Sequence, residues 1–385
     1  MRVEVNISDS VLNWIFNCIH IDVLPSQIVE YLKDWRSGEK KPTFSQIERT
    51  SKATGIPLGY FFLDTPPKED LSLTEYRTID SIEMQNPSRE LIDTIHDMEQ
   101  IQQWMKEYLA SIGAEPVPYV ASMRKQDVQQ FASSIREILG VTVEWYSKFS
   151  NSSECFRFIR SAISNSGTIV MMNGVVGANT HRPLRTKEFR AFAMVDQYAP
   201  LIFINANDTV AARLFSLLHE FAHVCIGENS LFNDYGESGH ALRKTEIACN
   251  AVAAEFLVPL SIFRNKWTTG ILSYDIDYTV SQLASYFRCS KTVIARRALD
   301  CGYITSDQYH RIATQTAKQA EEAKKEKNPG GDYYRTVSSR IDNRFLGLLT
   351  ESTLQGRTLY SDAFRLTHTN RSTFAKLTSG GELHG

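Results

Sequence analysis

The segment from Asp208 to Gly227 constrains this chain more than any other, because it joins an apolar helical pattern to a fixed set of polar residues. Within it, His219, Glu220 and His223 form the pattern H-E-x-x-H. On a helix, residues four positions apart share a face, at about 5–6 Å between Cβ atoms, so two imidazoles can bind one metal ion. Glu220 is then free to hold a water molecule. Asp208 is the expected N-cap and Gly227 the expected end. The alternative is that both histidines are ordinary half-buried residues.

A third ligand is expected downstream, because a catalytic zinc site has three protein ligands and one open position. An alanine-rich helix that ends at Pro259 offers two glutamates, Glu246 and Glu255. At 100° per residue these two glutamates point to opposite faces, so only one of them can reach the metal. We take Glu246 as the third ligand. Asn250, one turn below it, is placed to orient Glu246.

The motif HEFAH, the later E-x-x-x-N and the following AAEFLVP together resemble the ImmA/IrrE family of zinc metallo-endopeptidases. Residues 189–196 and 200–205 are similar to that family's approach to its active-site helix, so the resemblance covers about residues 120–265. It implies an α+β fold with a zincin-like catalytic domain. One departure is Cys249, where the family usually has alanine, and we expect a buried thiol there and not a ligand.

The resemblance and the motif imply one mechanism, the hydrolysis of a peptide bond assisted by Zn²⁺. His219, His223 and Glu246 hold the metal, which acidifies its bound water and polarises the scissile carbonyl. Glu220 acts as the general base on that water and passes the proton to the leaving amine.

The segment between the two ligand helices, residues 228–243, is rich in Gly, Asn, Ser and Asp, which favours a mobile loop near the cleft. Tyr235 and His240 lie in this segment and could donate hydrogen bonds to a developing oxyanion. The alternative is that both are solvent-exposed loop residues.

The first unit, residues 1–67, contains WRSGEKKPTFSQIERTSKATGIPLGYFF, which resembles the back half of a repressor-type helix-turn-helix domain. Many ImmA/IrrE relatives carry such a domain at this position. Its recognition helix would be Ser26 to Trp35, but the charges there are mixed and the spacing from Trp14 to Trp35 is short. DNA binding through this domain and a docking or partner-sensing role both stay open.

The rest of the chain divides into four further segments. Three apolar runs, at 168–172, 191–195 and 201–204, predict a small antiparallel sheet flanked by helices, and Val141–Trp145 is a candidate further strand. The terminal domains are predicted to be mainly α-helical. The predicted segments are a linker with a long helix (68–118), the zinc peptidase domain (119–265), a helical segment (266–327) and a C-terminal helical module (328–385).

Composition favours an ordinary globular protein, with 42% hydrophobic and 22% charged residues and a formal net charge of −2. This near-neutral balance gives no global basic field, so any contact with nucleic acid would be local. We expect no membrane span and no signal peptide. The six cysteines are scattered without C-x-x-C pairs, which favours reduced thiols and a cytoplasmic location.

Two functions follow from these patterns. The first is a regulatory zinc endopeptidase that cleaves a specific protein, such as a repressor or a toxin partner; relatives with tails of this kind resemble antitoxin partners of PIN-like toxins. The second is a DNA-associated regulator or antitoxin that acts by binding, with a structural or vestigial zinc site. Glu220 favours the first, because a purely structural zinc site needs ligands and no general base.

Overall fold

The computed structural model describes residues 5–19, 21–67, 87–124, 126–232, 244–271, 275–325 and 332–379. The chain forms two compact units. Unit 1 contains Met1–Ile101 and Gly174–Glu188, and unit 2 contains Gln102–Asn173 and Phe189–Gly385. The α+β class is confirmed, since a small sheet accompanies a majority of helices. The five predicted domain boundaries stay a prediction.

Unit 1 is built from short helices and one hairpin. Helix α3 begins with a capping box, in which Thr43 and Gln46 satisfy each other's backbone N–H groups. Buried apolar side chains, among them Val11, Ile15 and Ile47, form a hydrophobic core within unit 1. Its elements are α1 (Asp9–Cys18), α2 (Ser26–Ser37), α3 (Phe44–Thr54), a 3-10 turn (Leu58–Phe62), the first half of α4 (Arg89–Ser111), and the hairpin of β2 (Val175–Val176) and β3 (Asn179–Pro183).

The predicted recognition helix is present as α2, which begins at Ser26 as expected. Between α1 and α2 the described chain forms a three-residue 3-10 turn, Ile21–Val23. The guanidinium of Arg36 lies 4.6 Å from the ring centre of Phe16, so this cation packs on α1. DNA binding by α2 stays a prediction.

Unit 2 contains most of the helices and a four-stranded sheet. Its helices include those of the predicted helical segment and of the predicted C-terminal helical module. The helices of unit 2 are the second half of α4, α5 (Val128–Ile138), α6 (Ser152–Ser166), α7 (Val210–Ile226), α8 (Lys244–Leu257), α9 (Leu260–Ile271), α10 (Ile276–Phe287), α11 (Lys291–Asp300), α12 (Ser306–Lys325), α13 (Tyr333–Arg340), α14 (Asn343–Leu354), α15 (Tyr360–Thr367) and α16 (Arg371–Ser379).

The sheet is mixed, so the prediction of an antiparallel sheet was wrong. The three predicted strands are present, but β5 lies between β1 and β4 and pairs in parallel with β1. Strands β4 and β5 are joined by a short turn and are therefore antiparallel, as is β6 against β4. The strand order is β1-β5-β4-β6, with β1 (Ile169–Asn173), β4 (Ala191–Met194), β5 (Leu201–Asn205) and β6 (Ser230–Phe232).

The strand predicted at Val141–Trp145 is absent from the described structure of that segment. The N–H of Trp145 instead donates to the carbonyl of Thr142 at 3.3 Å, which starts a 3-10 turn at Trp145–Lys148. This turn buries the Trp145 ring against Phe256, with centroids 5.7 Å apart. Burial of one large aromatic ring thus outweighs the β propensity of the segment.

The sheet supports α7 on one face. The residues of β4 and β5 are buried on both faces, as expected for strands covered by helices on each side. Ala191 and Ala193 belong to the same core as Leu218 of α7, and their small side chains allow a close approach of the helix. On the opposite face the rings of Phe192 and Phe203 stack at 5.1 Å.

Among the described residues, no single helix is long and apolar enough to cross a membrane. Helix α8 and the stretch Leu260–Thr268 meet the length and composition test only as a pair, bent by 60° at their junction.

Candidate metal centre

Helix α7 is fixed at both ends by capping interactions. The N-cap is Thr209 and not the predicted Asp208, because the Asp208 carboxylate is engaged by Arg190 at 2.8 Å. At the other end Gly227 adopts a left-handed conformation with φ of 84°, and its N–H donates to the carbonyl of His223 at 2.8 Å. A Cβ atom at Gly227 would lie 2.4 Å from the Cβ of Ala121, so glycine is required there.

Helix α8 packs across α7. The two glutamates of α8 point in different directions, as the helical geometry predicts. Glu246 faces the histidines of α7. Glu255 points away and pairs with Arg297 at 3.0 Å, which ties α8 to α11. Cys249 and Ala253 are fully buried in the same core as the apolar residues of α7.

Three side chains converge where the motif predicts a metal site. The Nε2 atoms of His219 and His223 lie 3.1 Å apart, and each is 3.3 Å from a carboxylate oxygen of Glu246. All three ligand atoms lie within 4.8 Å of one another. Both imidazoles are buried, whereas the Glu246 side chain is 22% exposed, which leaves the centre open on one side. Two imidazole nitrogens and one carboxylate oxygen form a donor set that suits a catalytic zinc ion.

The electrostatics of the three residues favour an ionised carboxylate at the centre. Burial alone would raise the pKa of Glu246, but hydrogen bonds from His219 and His223 outweigh burial and hold that pKa well below its usual range. Burial disfavours the charged form of His223, but hydrogen bonds with the Cys249 thiol and Glu246 raise its pKa well above 6.5. Burial lowers the pKa of His219. The Glu246 carboxylate is thus stabilised by the two histidines, at a place where a bound metal cation would also stabilise it.

Asn250 has a different partner from the one expected. It was predicted to orient Glu246, but its Oδ1 atom lies 2.9 Å from Nδ1 of His219. When Nδ1–H donates to this oxygen, the lone pair of Nε2 is directed toward the centre. A hydrogen bond of this kind fixes the tautomer and orientation of a metal-binding imidazole.

Glu220 is fully buried beside the three converging residues. Its Oε2 atom accepts a hydrogen bond from the Ser230 hydroxyl, and its Oε1 atom has no hydrogen-bond partner among the described residues. Burial raises the pKa of Glu220 to about 7. A carboxylate with this pKa takes up and releases a proton near neutral pH, as a general base must.

Ser230 is the site residue that sequence reasoning missed. The prediction of a loop over residues 228–243 was wrong at its beginning, where Ser230–Phe232 forms β6 and pairs with β4. The apolar pair Leu231 and Phe232, placed soon after a helix-ending glycine, is the signal that could have indicated a strand. The two predicted oxyanion donors, Tyr235 and His240, lie outside the described residues.

Comparison with known families connects this centre to a peptidase fold. Residues 177–299 match the model of a metallopeptidase family, described as the IrrE N-terminal-like domain. This match extends past the predicted end of the peptidase domain, residue 265, and takes in α10 and α11. Residues 341–379 match a domain of unknown function. No curated protein is significantly similar to the chain. All residues of the candidate metal centre thus fall within the third of the chain that is similar to the IrrE N-terminal-like domain of metallopeptidases.

Proposed function

We propose that this protein is a zinc-dependent regulatory endopeptidase that hydrolyses a peptide bond in a specific protein partner. The observation that carries the proposal is the convergence of His219, His223 and Glu246 beside a buried carboxylate, Glu220, one oxygen of which has no hydrogen-bond partner among the described residues. A structural zinc site fills all four positions with protein ligands and has no use for a general base. The arrangement therefore supports catalysis over a purely structural role.

The residues of the centre have separate roles in this proposal. His219, His223 and Glu246 would hold Zn²⁺, and Asn250 fixes the orientation of His219 through the 2.9 Å contact at Nδ1. When bound, the metal supplies a Lewis acid that polarises the scissile carbonyl and makes a water molecule more acidic.

Glu220 carries the proton transfer. Its Oε1 atom receives a proton from the attacking water and delivers it to the nitrogen of the leaving amine. Burial raises the pKa of Glu220 to about 7, above that of an ordinary carboxyl group, which favours uptake of the proton from water. The same group can therefore accept the proton in the first half of the reaction and donate it in the second.

The proposed substrate is a repressor or a PIN-like toxin-type partner, and the proposed compartment is the cytoplasm. The similarity of residues 177–299 to IrrE-type metallopeptidases supports a regulatory role. Residues outside the region that matches the metallopeptidase family make up most of the chain. Additional segments of this size suit an enzyme that cleaves a specific partner. Contact of the N-terminal helices with DNA belongs to the alternative, a regulator that acts by binding.

The test compares all protein N-termini in cells that produce either the wild type or Glu220→Gln. Glutamine keeps the size of the side chain but cannot accept the proton, so zinc should stay bound while cleavage stops. We expect at least one new N-terminus that is present with the wild type and absent with Glu220→Gln. Glu228→Gln, at an exposed carboxylate just beyond α7, is the matched control and should cleave normally. An identical set of N-termini for the wild type and Glu220→Gln would refute the proposal.

A further inference from the structure

We infer that Ser230 is a positioning residue, which orients the Glu220 carboxylate so that one of its oxygens faces the metal centre. This inference rests on the proposed function and adds to it a residue that neither the H-E-x-x-H motif nor the ligand pattern includes. Ser230 lies ten residues beyond Glu220, on a strand and not on the helix that carries the motif.

The first observation is the contact itself. The Ser230 hydroxyl donates to Oε2 of Glu220, and both side chains are buried, with exposed fractions of 3% and 0%. A hydroxyl-to-carboxylate hydrogen bond is charge-assisted, and it is strongest where water cannot compete. The contact therefore restricts rotation of the carboxylate about its last side-chain bond, which is otherwise broad in glutamate.

The second observation is that the two carboxylate oxygens of Glu220 have different surroundings. Oε2 is taken by Ser230, whereas Oε1 is buried and has no hydrogen-bond partner among the described residues. A buried polar atom without a partner is costly and calls for an explanation, and for Oε1 the adjoining metal centre supplies one. Ser230 thus determines which oxygen is kept for the proton transfer.

The third observation is that strand pairing and the nearby end of α7 fix the position of Ser230. Strand β6 pairs with β4 at Ala193 and Ser230, and the Asn229 side chain accepts a hydrogen bond from the N–H of Val195. The left-handed Gly227 ends α7, and only two residues separate this glycine from Ser230. The hydroxyl is therefore carried by the sheet, and Glu220 by the helix packed on that sheet.

A purely structural role for the hydroxyl predicts a different outcome. If Ser230 only satisfied a buried polar atom, its loss would lower stability and leave the chemistry of the folded enzyme unchanged. If it orients Glu220, its loss must change the vibrational signature of that carboxylate and the turnover rate, with zinc content and substrate affinity unchanged.

The experiment uses Ser230→Ala, which removes the hydroxyl, and Ser230→Thr, which keeps it on a residue that suits a strand. Ser164→Ala is the matched control, because Ser164 is a buried serine of α6 whose hydroxyl has no partner among the described residues. Each full-length variant is first checked for its thermal unfolding midpoint and its zinc content, and only folded proteins are compared.

The first readout needs no substrate. Infrared difference spectra between the wild type and Glu220→Gln, taken above neutral pH, isolate the carboxylate band of Glu220. We expect Ser230→Ala to shift this band, and Ser230→Thr and Ser164→Ala to leave it in place. An unshifted band in Ser230→Ala would overturn the inference. Because this readout is independent of cleavage, it tests the contact on which the inference rests even if the wild type proves to have no peptidase activity.

The second readout is kinetic, on a peptide that spans the cleavage site found by the comparison of N-termini. We expect Ser230→Ala to lower kcat by roughly 10- to 100-fold, the usual cost of a misplaced catalytic group, with KM within about twofold. Ser230→Thr should recover most of kcat. Equal kcat values for Ser230→Ala and wild type would overturn the inference while leaving the proposed function intact.

Discussion

At the scale of residues, the candidate centre is a carboxylate held between two imidazoles. Glu246 contacts Nε2 of both His219 and His223, and Asn250 contacts the other ring nitrogen of His219, Nδ1. The low pKa of Glu246 means that the centre favours the ionised carboxylate. A proton on His223 and a metal ion would compete for the same place beside that carboxylate.

This competition predicts a pH dependence of metal binding. Zinc requires neutral imidazoles, and His223 has a pKa raised well above 6.5, so its proton is displaced less easily than that of an ordinary histidine. As the pH falls, the fraction of protonated His223 rises and zinc affinity falls, and this loss should begin above pH 6.5. Zinc titrations at a series of pH values, with a competing chelator, measure the trend. A constant affinity between about pH 8 and pH 6 would contradict it.

The residues that sequence reasoning found are those whose geometry is local. His219 and His223 are one helical turn apart, so helical spacing alone brings them together. Helical geometry also predicted that only one of Glu246 and Glu255 could reach the metal, and in the structure that residue is Glu246, as we had taken it to be. Ser230 could not be found in this way, because its contact with Glu220 depends on the pairing of β6 with β4.

At the scale of elements, the first edge of the sheet is covered by the C-terminal helices. The outward N–H of Val170 in β1 donates to Oδ2 of Asp342 at 3.0 Å, and its carbonyl accepts from Arg160. Arg160 also donates to the carbonyls of Ser339 and Ile341. An open strand edge invites pairing with other chains, and these side chains occupy the hydrogen-bonding groups that would allow it.

Asp342 is predicted to be important for stability because it has two backbone partners. Besides Val170, it caps α14 by accepting from the N–H of Phe345 at 2.9 Å, and it is only 2% exposed. Asp342→Ala leaves one buried N–H unpaired and α14 uncapped, which should lower the free energy of unfolding by roughly 2–4 kcal/mol. Denaturant unfolding measures this change.

Asp362→Ala is the control for this measurement, because Asp362 is a half-exposed carboxylate of α15. It should change the free energy of unfolding by less than about 0.5 kcal/mol. An equally small effect of Asp342→Ala would show that the edge of β1 does not depend on this contact.

The elements that were predicted well are those with strong periodicity. Helices such as α7 and α8 follow from apolar spacing and end signals within one segment. The direction of β1 could not be predicted, because it depends on β5 lying between β1 and β4. Strand order of this kind is decided by packing between distant segments, so it cannot be predicted from a short apolar run.

At the scale of the whole molecule, the peptidase-like region is one part of a larger chain. The match to the IrrE N-terminal-like domain covers about a third of the sequence and contains α7, α8 and β6. Within unit 2, the segment of unknown function at 341–379 packs beside β1 through Asp342. The three candidate ligands and the candidate general base are thus accompanied by segments that contribute packing and cover the edge of the sheet.

The central claim is that His219, His223 and Glu246 form one zinc site. Its most direct test is the zinc content per chain of protein purified without added metal, measured for the wild type, His223→Ala and Glu246→Ala. His181→Ala, at an exposed histidine of β3, is the control. The account predicts about one zinc per chain in the wild type and in the control, and none in the two ligand variants. A folded wild type without zinc, or full zinc content in both ligand variants, would contradict it.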